Sequence, residues 1–369
     1  MIRPLSSSLR LCGLAAILLS CGGGPSPYDR TYAEAARAES AGRLAEAADD
    51  YERAATQAAR PRDCDRARWA AIDVMVHAGR VADAVARLDA LAQDATSIYQ
   101  AEAAYRAAEL RIEHGDPERG WRDMEQIPRR FPTHGVAHVA VRRLVAHADE
   151  KGASAALEEL HALEHDLART ELVELVAFLS GEHLEALGDE EAARDAYLRI
   201  VDRWPYPYGA FFDDALWHAS LLDEKLGRAQ AAADDLERLV AVRETTTIMG
   251  SYEKARYVPA MLRLAELYDT KLHDRARARA TYHRLYTDFA HSTKRDEALW
   301  REAALWREDG DARTACDRLA TLVHEFPDSR YVPCATAACP GLARPDKSGA
   351  PASCHAYVTR AEAGAPKTD

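Results

Sequence analysis

The sequence predicts an all-α chain built as a solenoid of about eight helical hairpins, and three observations predict it. A glycine turn, a small residue five positions later and a bulky residue nine positions later recur along the chain, as in Gly42, Ala47 and Tyr51. Apolar residues three and four apart mark one buried face on the helices behind each turn. Alanine is abundant while Gly (19), Pro (16) and Phe (6) are modest, a composition that favours helix over sheet.

The turns define the repeat length. Successive turn residues are 37, 36, 37, 36, 39, 46 and 37 positions apart, and they are Gly42, Gly79, Gly115, Gly152, Gly188, Gly227, His273 and Gly310. A period of 36 to 39 residues with one insertion indicates stacked units, each of which buries its apolar face against its neighbours.

An apolar first helix is predicted ahead of each turn. In chain order these helices are 32–40, 67–77, 99–113, 136–150, 172–186, 210–225, 257–270 and 295–309. Each turn is followed by a second helix, and several second helices end in an aromatic residue before proline, as in Trp204-Pro205 and Phe326-Pro327. Proline ends these helices because it lacks a donor and restricts the residue before it.

The second helices carry a pattern of small, bulky and aliphatic residues followed by proline. Ala193, Tyr197, Ile200 and Pro205 follow it, and so do the corresponding residues from Ala315 to Pro327. A small residue lets two helices approach closely while the bulky one fills the gap beside it. The pattern resembles the tetratricopeptide repeat family over about residues 29–332, which implies a right-handed solenoid whose first helices line a concave, partner-binding groove.

The first twenty residues predict a targeting segment that is excluded from the fold. A basic region with two arginines leads into a nine-residue apolar stretch, and the segment closes with Leu18 to Cys21. This ending resembles the bacterial lipobox, which implies that Cys21 is lipidated; an ordinary cleaved signal peptide is the alternative. Gly22 after the cysteine implies sorting to the outer membrane in this family. Residues 21–28 then predict a flexible, lipid-anchored tether.

The net charge of -12 bears on the class of partner. An acidic surface argues against nucleic acid or an anionic membrane face as the main partner. The aromatic-proline helix ends and the N-terminal cysteine together resemble periplasmic tetratricopeptide lipoproteins, such as those of outer-membrane barrel assembly and Tol-Pal coordination. That resemblance implies a protein or peptide partner in the cell envelope, a membrane attachment through the N-terminal lipid, and no small-molecule substrate or cofactor.

The helix-forming pattern fades in residues 333–369, which predict a Cys- and Pro-containing tail that is partly disordered. Three cysteines lie in this tail, where a disulfide would be most useful in an oxidising compartment. The predicted pair is Cys334 with Cys339, and Cys316 with Cys354 is an alternative. A zinc site built from these cysteines and His355 is less favoured, because adjacent residues rarely bind one ion together.

The densest aromatic patch surrounds Trp204, Tyr206 and Tyr208. Aromatic side chains make strong contact residues because they lose little rotamer entropy, which predicts a partner-binding role for these three. Trp204 can instead fill the joint between two hairpins, whereas Tyr206 and Tyr208 lie beside prolines on a loop and are expected to be exposed. Four further aromatic residues recur at one position of the repeat, which predicts core packing: Trp69, Tyr105, Trp217 and Trp300.

One motif raises the alternative of metal-dependent hydrolysis. His161 and His165, with Glu164 between them, fit the His-x-x-Glu-His arrangement of inverted zinc peptidases. A catalytic zinc needs a third ligand and a pocket, and histidines are scattered through the chain, so the sequence predicts no metal site and no catalysis. We therefore predict a non-catalytic scaffold at the periplasmic face of the outer membrane; a peptidoglycan- or division-associated envelope linker is the alternative.

Overall fold

A computed structural model describes residues 25–242, 255–346 and 348–355, and all the regular structure in these residues is helical. Cys21 and the predicted targeting segment lie outside the described residues. The helices are α1 Pro27–Ser40, α2 Leu44–Gln57, α3 Pro61–His77, α4 Val81–Gln93, α5 Gln100–His114, α6 Pro117–Arg130, α7 Gly135–Asp149, α8 Ala153–Asp166, α9 Leu172–Ala186, α10 Glu190–Arg203, α11 Phe212–Lys225, α12 Ala229–Ala241, α13 Tyr257–Thr270, α14 Arg275–Asp288, α15 Arg295–Glu308, α16 Ala312–Glu325 and α17 Val332–Ala338.

The first sixteen helices form eight consecutive pairs, which we number hairpins 1 to 8, from α1 and α2 to α15 and α16. Each pair is joined at a predicted turn residue. All eight turn residues have a positive φ, between 73° and 122° for the seven glycines and 54° for His273. Glycine adopts this conformation without a steric penalty, and the prediction of helical hairpins with these turns is confirmed.

The residue after the turn determines how the second helix begins. In four hairpins it is an aspartate, and the carboxylates of Asp116, Asp189, Asp274 and Asp311 accept hydrogen bonds from backbone N–H groups three residues on. Such a cap contributes about 1 kcal/mol. In hairpins 1 and 2 an arginine takes this position and pairs instead with an acid three residues later, as in Arg43 with Glu46.

The chain divides into two compact units after Val176, within α9. In the first unit, α2 packs against α3, α4 against α5 and α6 against α7, so hairpins 1, 2 and 3 each bury their second helix against the next first helix. The second unit repeats this arrangement from α10 to α15. In both units the core consists of alanines, leucines and a few aromatic rings, and Leu88 and Tyr197 are fully buried.

Close helix contact in hairpins 3 and 5 depends on glycines inside the helices. A Cβ on Gly181 of α9 would lie 2.6 Å from the Tyr197 ring on α10. A Cβ on Gly120 of α6 would lie 2.8 Å from the Ala108 carbonyl oxygen of α5. Neither site has room for a side chain, so Gly120 serves as the small residue that the repeat pattern requires at this position.

The C-terminal region differs from the prediction in its disulfides. Cys316 of α16 is bonded to Cys339, and Cys334 of α17 is bonded to Cys354. The predicted pairing of Cys334 with Cys339 is therefore wrong, and so is the alternative of Cys316 with Cys354. Cys334 lies in the first turn of α17 and Cys339 directly follows its last residue. Two residues five positions apart on a helix are separated by about 7.5 Å along its axis, and their side chains point in directions more than a quarter-circle apart. A disulfide bond cannot span this separation.

The boundaries of the predicted regions also shift. α1 begins at Pro27, within the predicted tether, and its Ser26 cap forms a reciprocal pair of hydrogen bonds with Asp29. α17 begins at Val332, where the hairpin array was predicted to give way to the tail. Val332 and Cys334 are buried against hairpin 8. None of the helices in the described residues is both long enough and apolar enough to span a bilayer.

Candidate protein-binding surface

The loop between α10 and α11 contains the three aromatic residues that the sequence indicates as partner contacts. Tyr208 is 85% exposed and Tyr206 is 37% exposed. Backbone N–H groups of Tyr208 and Gly209 donate to the Pro205 carbonyl at 3.0 and 3.4 Å, so the loop has a hydrogen-bonded turn at its centre. Tyr206 and Tyr208 are two of the five exposed large hydrophobic side chains among the residues that the structure describes.

Trp204 has a different environment from the two tyrosines. It follows the last residue of α10 and is half-buried against the core of the second unit, together with Phe211 and Trp217. The Arg203 guanidinium lies 4.5 Å from the centre of its indole ring. This position matches the alternative in which Trp204 fills a joint between hairpins, and the exposed aromatic surface of the loop is formed by Tyr206 and Tyr208.

The recurrent aromatic residues of the first helices are used for packing between hairpins. In three cases the ring contacts the aromatic residue that directly precedes the next odd-numbered helix. The pairs are Trp69 with Tyr99, Phe178 with Phe211, and Trp300 with Tyr331, and their ring centroids are 5.2, 4.6 and 5.6 Å apart. Trp217 has Arg256, before α13, 5.5 Å from its ring centre. Tyr105 receives a hydrogen bond from Arg143 of α7 at 3.3 Å.

Phe178 was missed by the sequence reasoning, although a signal for it exists. It lies ten residues before its turn glycine, Gly188, as Trp69 lies ten residues before Gly79. An aromatic residue at this register, followed by another directly before the next first helix, predicts the contact. Of the four predicted residues at this register, Trp300 is buried in the core, and Trp69 and Trp217 are half-buried against it. Tyr105 is half-buried, and its hydroxyl makes a polar contact with α7.

Ion pairs join the first helices of successive hairpins. Arg143 of α7 donates to Glu109 of α5 at 2.6 Å, and Arg263 of α13 donates to Glu224 of α11 at 2.6 Å. The hydrogen bond that Arg263 donates to Glu224 raises the pKa of the Arg263 guanidinium, which therefore stays charged. Such half-exposed pairs contribute little stability, but they fix the relative position of neighbouring first helices.

The His161 and His165 motif lies on α8. His161 is exposed, and the imidazole of His165 is 91% exposed and contacts Asp166 at 3.3 Å. No group of three or more His, Cys, Asp or Glu side chains that could hold a metal ion is found in the described residues. A catalytic zinc site needs three protein ligands, so the described geometry gives no support to the hydrolase alternative.

Comparison with known protein families finds a sequence match in the last two hairpins. Residues 259–292 and 297–329 match a tetratricopeptide repeat family. These segments correspond to α13 with α14 and to α15 with α16. Hairpins 7 and 8 therefore carry the sequence pattern of this repeat, and the described helices before them share its hairpin architecture. No curated protein matches the chain.

Several solved structures are similar to the chain at low identity. The C-terminal part of a TPR repeat-containing protein from Cytophaga hutchinsonii is 12% identical, with 73% of this chain and 98% of that chain covered and a TM-score of 0.42. PilF of Pseudomonas aeruginosa is 16% identical, with 62% and 93% covered and a TM-score of 0.36. PilW, described as a type IV pilus biogenesis factor, is 15% identical, with 62% and 94% covered and a TM-score of 0.34.

Proposed function

We propose that this protein is a non-catalytic scaffold that binds a protein or peptide partner in the cell envelope, with Tyr206 and Tyr208 among its contact residues. The exposure of these two tyrosines on a turn carries the proposal. Nearly all the other aromatic rings of the repeats are buried or half-buried between helices. An exposed tyrosine offers a large contact area at a small cost in side-chain entropy.

The proposed location is the periplasmic face of the outer membrane, with a lipid on Cys21 as the anchor. The lipobox-like sequence supports the anchor. The two disulfides of the C-terminal region support an oxidising compartment, because disulfides persist in the periplasm and are rare in the cytosol. A Cys21→Ala protein is expected to leave the membrane fraction, and its retention there would contradict the lipid anchor.

A photo-crosslinking experiment in living cells tests the binding surface. A photoreactive amino acid at position 208 is expected to give one or a few defined adducts. The matched control is position 187, because Leu187 is also exposed and lies at the other end of α10, beside the turn of hairpin 5. Equal adducts from both positions, or none from position 208, would contradict the proposed surface.

Substitution of the two tyrosines supplies a quantitative test once an adduct is identified. The Tyr208→Ala change is expected to weaken partner binding by about 2 kcal/mol, which is roughly 30-fold and the lower limit for a residue that dominates an interface. The thermal midpoint of the protein should stay the same because the side chain is exposed. Unchanged affinity in a Tyr206→Ala, Tyr208→Ala double variant would exclude the loop as a binding site.

A further inference from the structure

Two positions of the hairpin, one on each of its helices, carry different charges in hairpins 3 and 6. They lie four residues before and eight residues after the turn glycine. In hairpin 3 they hold Arg111 and Asp123, whose Nη1 and Oδ2 atoms are 2.9 Å apart. In hairpin 6 the same two positions hold Asp223 and Asp235. Where one hairpin places a cation beside an anion, the other therefore places two acids.

The two acids of hairpin 6 are withdrawn from water. Asp223 is fully buried and Asp235 is 5% exposed. One oxygen of each carboxyl group has a cationic neighbour: Arg194 of α10 donates to Asp223 Oδ1 at 2.6 Å, and Arg238 lies 3.7 Å from Asp235 Oδ1. The Oδ2 atom of each is buried without a hydrogen-bond partner. A buried carboxylate oxygen without a partner has lost its hydration and gained no hydrogen bond in return, which destabilises the ionised form of the group.

The other charged groups around this pair do not supply the missing donor. On the same side, Arg228 lies 3.8 Å from Asp223 Oδ1 and pairs mainly with Glu191. Asp234, beside Asp235 on α12, adds further negative charge. From α13, the Tyr268 hydroxyl donates to Glu237 of α12. Arg194 and Arg238 also contact the exposed acids Asp195 and Asp202.

We propose that a proton takes the place of the cation in hairpin 6: the buried Asp235 carboxyl group is protonated beside the Asp223 carboxylate, and loss of this proton to water makes the α10, α11 and α12 junction a pH-sensitive switch. Protonation removes the cost of burying a second charge and the repulsion between like charges. Ionisation of Asp235 restores both costs. α10 and α11 are the helices that flank the loop of Tyr206 and Tyr208, so the switch acts on the helices that hold this loop.

The direction of the effect follows from the titration of Asp235. Burial, and then the Asp223 charge, raise the pKa of Asp235 to about 7, although Arg238 and Arg194 lower it. The folded chain therefore holds this proton at pH values where the unfolded chain, with an aspartate pKa of about 3.9, has lost it. The contribution of this proton to the free energy of unfolding is complete below about pH 4, falls as the pH rises through 7, and stays low above that.

Thermal unfolding of the full chain at about pH 5.5 and about pH 8.5 tests the proposal. An Asp235→Asn variant has a neutral side chain of nearly the same shape at this position at both pH values. We subtract the wild-type midpoint from the variant midpoint at each pH. This difference is expected to be more positive at pH 8.5 than at pH 5.5 by roughly 3–8 °C. The matched control is Asp123→Asn in hairpin 3, whose difference from wild type should be the same at both pH values because Arg111 is a permanent cation. An Asp235→Asn difference that does not grow with pH would overturn the proposal.

A second measurement does not depend on how well the variant folds. Infrared spectra of the wild-type protein labelled with ¹³C-aspartate are expected to contain a protonated-carboxyl band at about pH 6 that disappears by about pH 9. The absence of this band at pH 6 would mean that both aspartates are ionised, which would also overturn the proposal.

Discussion

Hairpin 6 and hairpin 8 lie in the same unit but are held in different ways. Hairpin 6 has a neighbour on each side, because α10 packs against α11 and α12 packs against α13. Hairpin 8 packs against α14 on one side, but on the other it meets the seven-residue α17 and the residues Cys339, Leu342, Ala350 and Cys354 that follow it. Two disulfides hold that last layer. Terminal repeats lack one neighbour and need another means of closure, and here covalent bonds provide it.

The polar contacts at the C-terminal end follow the same division. The Gly349 N–H donates to Asp328 Oδ1 at 2.5 Å, and Arg344 donates to the Pro351 carbonyl at 2.9 Å. These contacts bind one irregular segment to another and do not extend a helix. Both hairpins bury apolar surface, but the outer side of hairpin 8 is covered by a short helix and an irregular segment that disulfides and local hydrogen bonds hold in place, where an interior hairpin has another hairpin.

Removal of the packing beside hairpin 6 should have the largest effect. Tyr197 of α10 is fully buried, and its ring centre lies 4.9 Å from that of His218 on α11. A Tyr197→Ala change is expected to destabilise the second unit by about 3–5 kcal/mol because it leaves a cavity. The matched Tyr197→Phe change removes only the 3.3 Å contact of the hydroxyl with Glu185 and should cost about 1 kcal/mol or less. Urea unfolding measures both; equal midpoints for the two variants would contradict packing as the main stabiliser.

Overpacking at the same place should have a smaller effect. A Gly181→Ala change puts a methyl group 2.6 Å from the Tyr197 ring and is expected to destabilise by about 1–3 kcal/mol. The control is Gly135→Ala at the start of α7, where a Cβ would meet no atom within 4 Å. Chemical denaturation should show no loss for this control. If Gly181→Ala were as stable as Gly135→Ala, the close approach of α9 and α10 would be wrong.

The turn of hairpin 7 should give the smallest effect, with the opposite sign. His273 adopts a φ of 54°, which costs a residue with a Cβ about 1–2 kcal/mol. A His273→Gly change is therefore expected to stabilise the protein, by about 1 kcal/mol at most because glycine also gains freedom in the unfolded chain. Gly310→Ala in hairpin 8 should destabilise by a similar amount. Calorimetric midpoints that moved in the same direction for both variants would exclude this account of the turns.

The sequence was sufficient to predict the hairpins because their determinants are local. A turn glycine, a small residue and a bulky residue lie within ten positions, so Gly188, Ala193 and Tyr197 identify a hairpin without any knowledge of its neighbours. His273 could be assigned as a turn residue from spacing alone, and the positive φ of that histidine confirms the assignment.

Long-range features could not be predicted in the same way. The pairing of Cys316 with Cys339 depends on how α17 packs against α16, and the fading helical pattern after residue 332 concealed α17. The burial of the two acids of hairpin 6 has no local signal in the sequence, because it depends on how α10, α11 and α12 pack together. The exposure of Tyr206 and Tyr208 was expected from the flanking prolines and is observed; their role in partner binding stays a prediction.

Hydrogen exchange of the native protein with and without a reductant most directly tests the contrast between the two hairpins. The two disulfides link residues 23 and 20 positions apart, and a bridge over such a loop contributes about 3 kcal/mol. Reduction is therefore expected to speed amide exchange in α16 and α17 by roughly 100-fold or more, and to leave α11 and α12 unchanged. Unchanged exchange in α16 and α17, or an equal increase in all four helices, would contradict the covalent closure of the terminal hairpin.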